Sequence, residues 1–286
     1  MKVFADVSLH TLKHLGIGHL QELTAIGVYG IRLDDDLEGH DVRGLANTFF
    51  LSVNASTLTE TELQKLLAMD IKPERLIGWH NYYPRKETGL SREFFKKQNR
   101  MFEKYGIERA AFIPGNEEKR GPLFDGLPTL EDHRYVSPYQ AAAELLMDGM
   151  DHICIGDPGA SDKLLDSLVS LDQKRMIILR IYSDSIKSGA MKLRPDFSKD
   201  VLRFVDTRST QAIPPENTKE SPIGTVTVDN DLYGRYRGEL QISLTDLPAD
   251  GRVNAVGSVF EEDLPLLHTV EPGQAVYLKC FKRLRE

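Results

Sequence analysis

Two aspartates close short apolar runs near the start of this chain. Asp6 follows Val3-Phe4-Ala5, and Asp34 ends Gly30-Ile31-Arg32-Leu33-Asp34. On neighbouring parallel strands, about 4.8 Å apart, inward-pointing carboxyls at these positions come within about 5–6 Å of each other. Two carboxyls at that separation are what a retaining glycosidase uses, one as acid/base and one as nucleophile. Their mutual repulsion splits their proton affinities, holding one protonated near neutrality. Each aspartate also fits the plainer role of capping a following helix. Asp157, in Gly156-Asp157-Pro158-Gly159, is the reserve candidate in a string that also reads as a tight turn.

Amides and aromatics recur at equivalent places. Asn54 and Asn116 close further apolar runs, and His80-Asn81-Tyr82-Tyr83-Pro84 follows the run holding Trp79, the single tryptophan. Asn and Tyr both donate and accept hydrogen bonds, and an aromatic face supports a sugar ring. The stretch from Pro114 to Ser137 reads as a long mixed-charge loop carrying Lys119, Arg120 and Glu131. Loops of that length are often functional. Lys119 and Arg120 offer charge to an anion, although a solvated charge run reads the same way. Farther on, Arg235 and Arg237 flank Tyr236, placed either to reach over a barrel mouth or to decorate an edge strand. His10 and His14 have metal-ligand spacing but no H-E-x-x-H context, so no metal is assigned and no cofactor is expected.

These residues need a scaffold that brings strand ends together. Six apolar runs, at 3–8, 30–34, 49–54, 76–81, 110–116 and 152–157, alternate with helical patterns. Runs this short without full alternation suit parallel strands buried on both faces. Thr59 with Glu62 has capping-box spacing, and Ser91, Ser137-Pro138 and Ser161 punctuate further helices. A polar residue ends every strand and no G-x-G-x-x-G is present, so a (β/α)8-type TIM barrel is preferred to a doubly wound sheet. Only six strands are counted and the first begins near Met1. The expectation is a barrel lacking its first two βα units, about 60 residues, whether by a shortened chain, a misplaced start or natural reduction. Open edges on such a sheet favour self-association.

After residue 173 the grammar changes to short strand-like runs separated by turn residues. The expected domains are a partial barrel over 1–173 and a small β domain over 174–286. The chain has 286 residues, a net charge of −7, 41% hydrophobic and 28% charged residues, and two cysteines. That composition is globular and offers no broad cationic surface for nucleic acid or anionic lipid. No run is long enough to span a bilayer, and no signal peptide is evident. The expectation is a cytoplasmic protein without membrane or nucleic-acid partners.

Several strings in order resemble the MupG-type 6-phospho-N-acetylmuramidases. They include Phe4-Ala5-Asp6-Val7-Ser8, Gly30-Ile31-Arg32-Leu33-Asp34, His80-Asn81-Tyr82-Tyr83-Pro84 and Arg120-Gly121-Pro122-Leu123. Asp229-Asn230-Asp231-Leu232-Tyr233 and Leu247-Pro248-Ala249-Asp250-Gly251-Arg252 extend the resemblance through the second part. The resemblance implies a TIM barrel followed by a cyclophilin-like β domain. It also implies a bacterial cytoplasmic glycosidase without cofactor, cleaving 6-phospho-N-acetylmuramyl-N-acetylglucosamine during cell-wall recycling. For such an enzyme the strand geometry, not the resemblance, makes Asp6 and Asp34 the catalytic pair, with Asp157 in reserve. Asn54, His80, Asn81, Tyr83 and Asn116 line the sugar site, and Arg120, with Lys119 and Arg235 behind it, meets phosphate or carboxylate. The alternative is a phosphosugar-binding or regulatory protein that has lost turnover with the missing strands.

Overall fold

A computed structural model describes residues 2–33 and 41–282. The chain forms two compact units, Met1–Ser161 and Asp162–Glu286. In the first unit the strands are β1 (Val3–Val7), β2 (Val28–Leu33), β3 (Phe50–Asn54), β4 (Leu76–Trp79), β5 (Glu108–Ile113) and β6 (His152–Ile155). Its helices are α1 (Leu9–Leu15), α2 (Val42–Thr48), α3 (Glu60–Ala68), α4 (Arg92–Lys104) and α5 (Pro138–Met147). Three of the expected caps form. Thr59 and Glu62 make a reciprocal capping box on α3, Ser91 accepts from the Phe94 N–H on α4, and Ser137 accepts from the Gln140 N–H on α5.

All six strands are parallel and paired in chain order, β1 through β6. An order without reversal has no topological switch point, so the doubly wound alternative is excluded. One sheet face packs on helices. Val7, Ile31, Leu51, Val53 and Leu76 share a core with Leu45 of α2, Leu63 and Leu66 of α3, and Phe102 of α4.

The other face carries a chain of aromatic rings. Phe4 meets Phe50 at 6.0 Å and Trp79 at 5.4 Å between centroids, and Trp79 stacks on Phe112 at 5.8 Å. Phe4 lies on β1 and Trp79 on β4, three strands away, about 14 Å across a flat sheet. Rings in contact over that span require a curled sheet with this face inside. The first unit is therefore a curled six-stranded parallel sheet with helices on its outer side.

The second unit holds α6 (Asp162–Lys174), whose Leu164 and Leu171 are buried, followed by a mixed sheet. Its strands are β7 (Ile177–Tyr182), β8 (Gly189–Lys192), β9 (Val201–Arg203), β10 (Thr225–Asp229), β11 (Leu240–Ser243), β12 (Val253–Val259) and β13 (Ala275–Phe281). Their order is β8-β13-β7-β12-β10-β11-β9, and every pair except β13 with β7 is antiparallel. No described helix is long and apolar enough to cross a membrane.

Candidate active site

Parallel pairing brings the strand ends to one rim, and alternation decides which side chains face the hollow. Asp6 lies two residues beyond Phe4, and Ser52 two beyond Phe50, so both share the aromatic, concave face. Arg32 is directly opposite Asp6 and opposite Ser52 in the strand registers.

Asp6, Arg32 and Asn81 form a cluster. The Arg32 side chain is 8% exposed, and its Nη1 stands 4.0 Å from Asp6 Oδ1. Its Nη2 donates to Asn81 Oδ1. A buried guanidinium needs partners of this kind, because its desolvation is otherwise uncompensated. Asp6 itself is 61% exposed along its side chain, so its carboxylate is open to a ligand. Beneath the cluster, Ser52 Oγ and Trp79 Nε1 are buried without a hydrogen-bond partner among the described residues. Unpaired buried donors are costly, roughly 1–3 kcal/mol each, and mark places where a polar ligand or solvent is expected.

Asn81 is held from below. His80 is fully buried; its Nε2 lies 2.9 Å from Asn99 Oδ1 and its Nδ1 3.2 Å from Ser56 Oγ. Ser56 Oγ in turn accepts the Asn81 backbone N–H at 2.9 Å. Burial pushes the imidazole down from 6.5 to about 4, so it is neutral at pH 7. A neutral ring with Nε2–H donating to Asn99 leaves Nδ1 to accept from Ser56, and the whole chain is satisfied with one orientation. His80 is therefore a support for Asn81 and, being enclosed, does not itself face the hollow. Thr129 Oγ1 fixes the Asn81 carbonyl at 2.9 Å.

The long loop is anchored by Asp157. Its buried carboxylate accepts backbone N–H groups from Gly115 at 2.9 Å, Arg120 at 3.1 Å and Leu127 at 3.3 Å. With its oxygens so engaged, Asp157 shapes the loop instead of standing free as an acid. Lys119 turns inward, to the Gly115 carbonyl and to Asp157 at 3.4 Å. Arg120 points outward: it is exposed, donates to the Tyr82 hydroxyl at 2.7 Å, and lies 5.5 Å over that ring. Tyr82 packs edge-on against Phe112 at 5.2 Å, which ties Arg120 to the aromatic face.

The remaining expected residues are placed as follows. Glu131 accepts from Arg134 at 2.6 and 2.7 Å and from the Glu87 and Gly89 N–H groups; the Arg134 contact above all holds it down at about 2. It ties loops together. Asn116 makes a reciprocal pair with Ser161, donating to Oγ at 2.8 Å and accepting its N–H at 2.9 Å. Asn54 accepts the Ser56 N–H and so shapes the turn after β3. Tyr83 is half-buried, and its backbone N–H donates to the Pro128 carbonyl. Arg235 belongs to the second unit, exposed, with Nη2 on the Tyr236 hydroxyl at 2.8 Å. Asp34 falls outside the described residues. Among the described residues no group of three or more His, Cys, Asp or Glu side chains is arranged to hold a metal.

Sequence reasoning passed over Arg32, Ser52 and Ser56. Arginine inside an apolar strand was the available signal, since buried arginine is rare without a carboxylate or amide partner.

The profile for the 6-phospho-N-acetylmuramidase N-terminal domain matches residues 1–170, and that for the C-terminal domain matches residues 174–279. The chain belongs to the 6-phospho-N-acetylmuramidase family. A family so described is one of glycosidases. Two solved structures resemble the chain: a conserved protein of unknown function from a locus in Enterococcus faecalis and an uncharacterized B. cereus protein. The first is 36% identical with a TM-score of 0.85, covering 98% of this chain and 80% of its own. The second is 30% identical with a TM-score of 0.80, covering 99% and 84%. Comparison with curated proteins returns no match.

Proposed function

We propose that this 6-phospho-N-acetylmuramidase family member hydrolyses 6-phospho-N-acetylmuramyl-N-acetylglucosamine. The observation that carries the reading is the exposed Asp6 carboxylate on the concave face, flanked by Arg32 and Asn81. In a two-carboxyl mechanism one group protonates the glycosidic oxygen while the other attacks the anomeric carbon or activates water. Asp6 and Asp34 supply that pair. Asn81, held by Arg32 from one side and the His80–Ser56 chain from the other, presents its amide to a sugar hydroxyl or acetamido group. The aromatic face of Phe4, Trp79, Phe112 and Tyr82 supports the pyranose. Arg120, backed by Tyr82, takes the phosphate through charge-assisted hydrogen bonds. A phosphate ester formed inside the cell is retained there, because it does not cross a bilayer unaided, which fits a cytoplasmic role in cell-wall recycling. In this reading a TIM-like domain ends and a cyclophilin-like β domain begins at 173/174, which counts α6 with the first domain although it clusters with the second unit.

The test is release of the two sugars, read by product mass. Asp6→Asn is expected to lower turnover about 100-fold or more, and Arg120→Ala to raise KM for the phosphorylated disaccharide while sparing its unphosphorylated analogue. Tight binding of intact disaccharide by the wild-type chain, with no product, sinks the hydrolase and leaves a phosphosugar sensor.

A further inference from the structure

The second unit contains a cavity of about 430 Å³ over one face of its sheet. The registers explain its floor. Arg203 of β9 is opposite Gln241 of β11, which is opposite Thr227 of β10. Asp229 and Glu239 lie two residues along from Thr227 and Gln241, so alternation puts all five on the same face. Tyr233 and Tyr236 form one wall, and Leu247, Pro248 and Val253 supply an apolar patch.

The charges in this cavity are unevenly satisfied. Glu239 is buried and accepts from Arg203 Nη2 at 2.5 Å and from Arg208 Nη2 at 2.8 Å. Asp250 is paired with Arg252 at 2.7 Å. Asp229 is only 4% exposed, yet the hydrogen bonds to its two oxygens come from Gln241 Nε2 at 3.4 and 3.3 Å, both long. A buried carboxyl this poorly satisfied has room for two further donors.

The surroundings narrow the ligand's chemistry. Glu239 is paired with Arg203 and Arg208, and Asp250 with Arg252, so most of the charge beside the cavity is already matched within the protein. An anion also meets Asp229, and a cation meets Arg203. The tyrosine wall is packed on both rings: they meet edge to face at 6.2 Å, with Arg252 lying 4.6 Å over Tyr233 and Arg208 4.7 Å over Tyr236. What fits is a neutral ring with adjacent hydroxyls on one side and C–H groups on the other.

We propose that this cavity is a saccharide site of the second unit, in which the two Asp229 oxygens accept the paired hydroxyls of a neutral pyranose. Gln241 completes the polar contact, and Leu247, Pro248 and Val253 take the ring's apolar side. A site of this volume accommodates one sugar ring, within the ordinary range for small-molecule pockets. A preformed wall keeps the ordering cost of binding low.

The test is a titration of the full chain with methyl β-glucoside at pH 8, following backbone amide resonances of Thr227, Asp229 and Gln241. Saturable shifts at millimolar sugar are expected. Asp229→Asn and the 3-deoxy glucoside should each weaken binding by about tenfold. Tyr233→Ala, a half-exposed change, provides a second variant should Asp229→Asn fail to fold. Shifts absent at all sugar concentrations overturn the site, as does an affinity untouched by Asp229→Asn, Tyr233→Ala and the deoxy sugar. Saturation by ethanolamine or inorganic phosphate in place of the glucoside overturns the ligand class. The readout is binding within the second unit, so a chain that cleaves no disaccharide still passes or fails it.

Discussion

Arg32 does three things with one side chain: it fills the sheet interior, faces Asp6 and fixes the Asn81 amide. Its planar fork suits two partners at once, whereas an ammonium is a single point charge. Arg32→Lys keeps the charge but cannot reach both groups from the same depth. The expected outcome is a fall in kcat of about 10- to 100-fold, with KM for the disaccharide changing less, because the groups are displaced rather than removed. Steady-state kinetics check this, alongside a thermal melt showing that the variant folds. A KM effect alone places Arg32 in substrate binding and removes it from the positioning of Asp6. The same residue shows where sequence reasoning stops. Strand ends made Asp6 and Asn81 visible one by one. The bonds that make them a unit join residues 49 positions apart in one case and 24 in another, and no local pattern encodes such pairs.

At the scale of elements, short-range chemistry was the legible part. The six parallel strands and the caps at Thr59, Ser91 and Ser137 follow from runs and spacings within a few residues. In the second unit β8, β9 and β12 gave no such signal. β9 is three residues long, β8 contains alternating exposed positions, and β12 is interrupted by Asn254 and Gly257; each exists through partners distant in sequence. The curl of the first sheet was expected from the polar residues that end its strands, but the aromatic contacts across its inner face, Phe4 on Trp79 above all, were not. Gly78 in β4 tests how tightly one helix sits on that sheet. A Cβ at this position would stand 2.8 Å from the ring of Phe102 on α4, which is itself fully buried. Because the ring is enclosed, either it or α4 must move to admit the methyl group. Gly78→Ala is therefore expected to destabilise the fold by about 1–3 kcal/mol, read as a lower denaturant midpoint. An unchanged midpoint means that α4 shifts freely over β4.

Over the whole molecule, the two units should respond to acid in opposite directions. His80, in the first unit, has its pKa lowered by burial from 6.5 to about 4. The unfolded chain therefore binds a proton that the folded unit refuses, and stability present above pH 6.5 is lost as pH falls through about 4. That shift corresponds to about 3 kcal/mol at roughly 1.4 kcal/mol per unit. Asp229, in the second unit, is raised from 3.8 to about 7, by burial first and then by Glu239 beside it; Asp250 pushes the same way, and Arg203 and Arg208 oppose. Here the folded unit holds a proton that the unfolded chain releases. Its contribution is complete below pH 3.8 and is lost as pH rises through about 7. Moving from pH 8 to pH 5 should thus weaken the unit containing His80 and strengthen the one containing Asp229. Hydrogen exchange separates them: after correction for intrinsic rates, protection at Ala110 and Ala111 should decrease over that interval while protection at Val226 and Ile242 increases. Asp229→Asn should abolish the second change and leave the first. Parallel behaviour of both units in the wild type would mean that neither buried group governs the pH response, and that other side chains whose proton affinity changes on folding outweigh them.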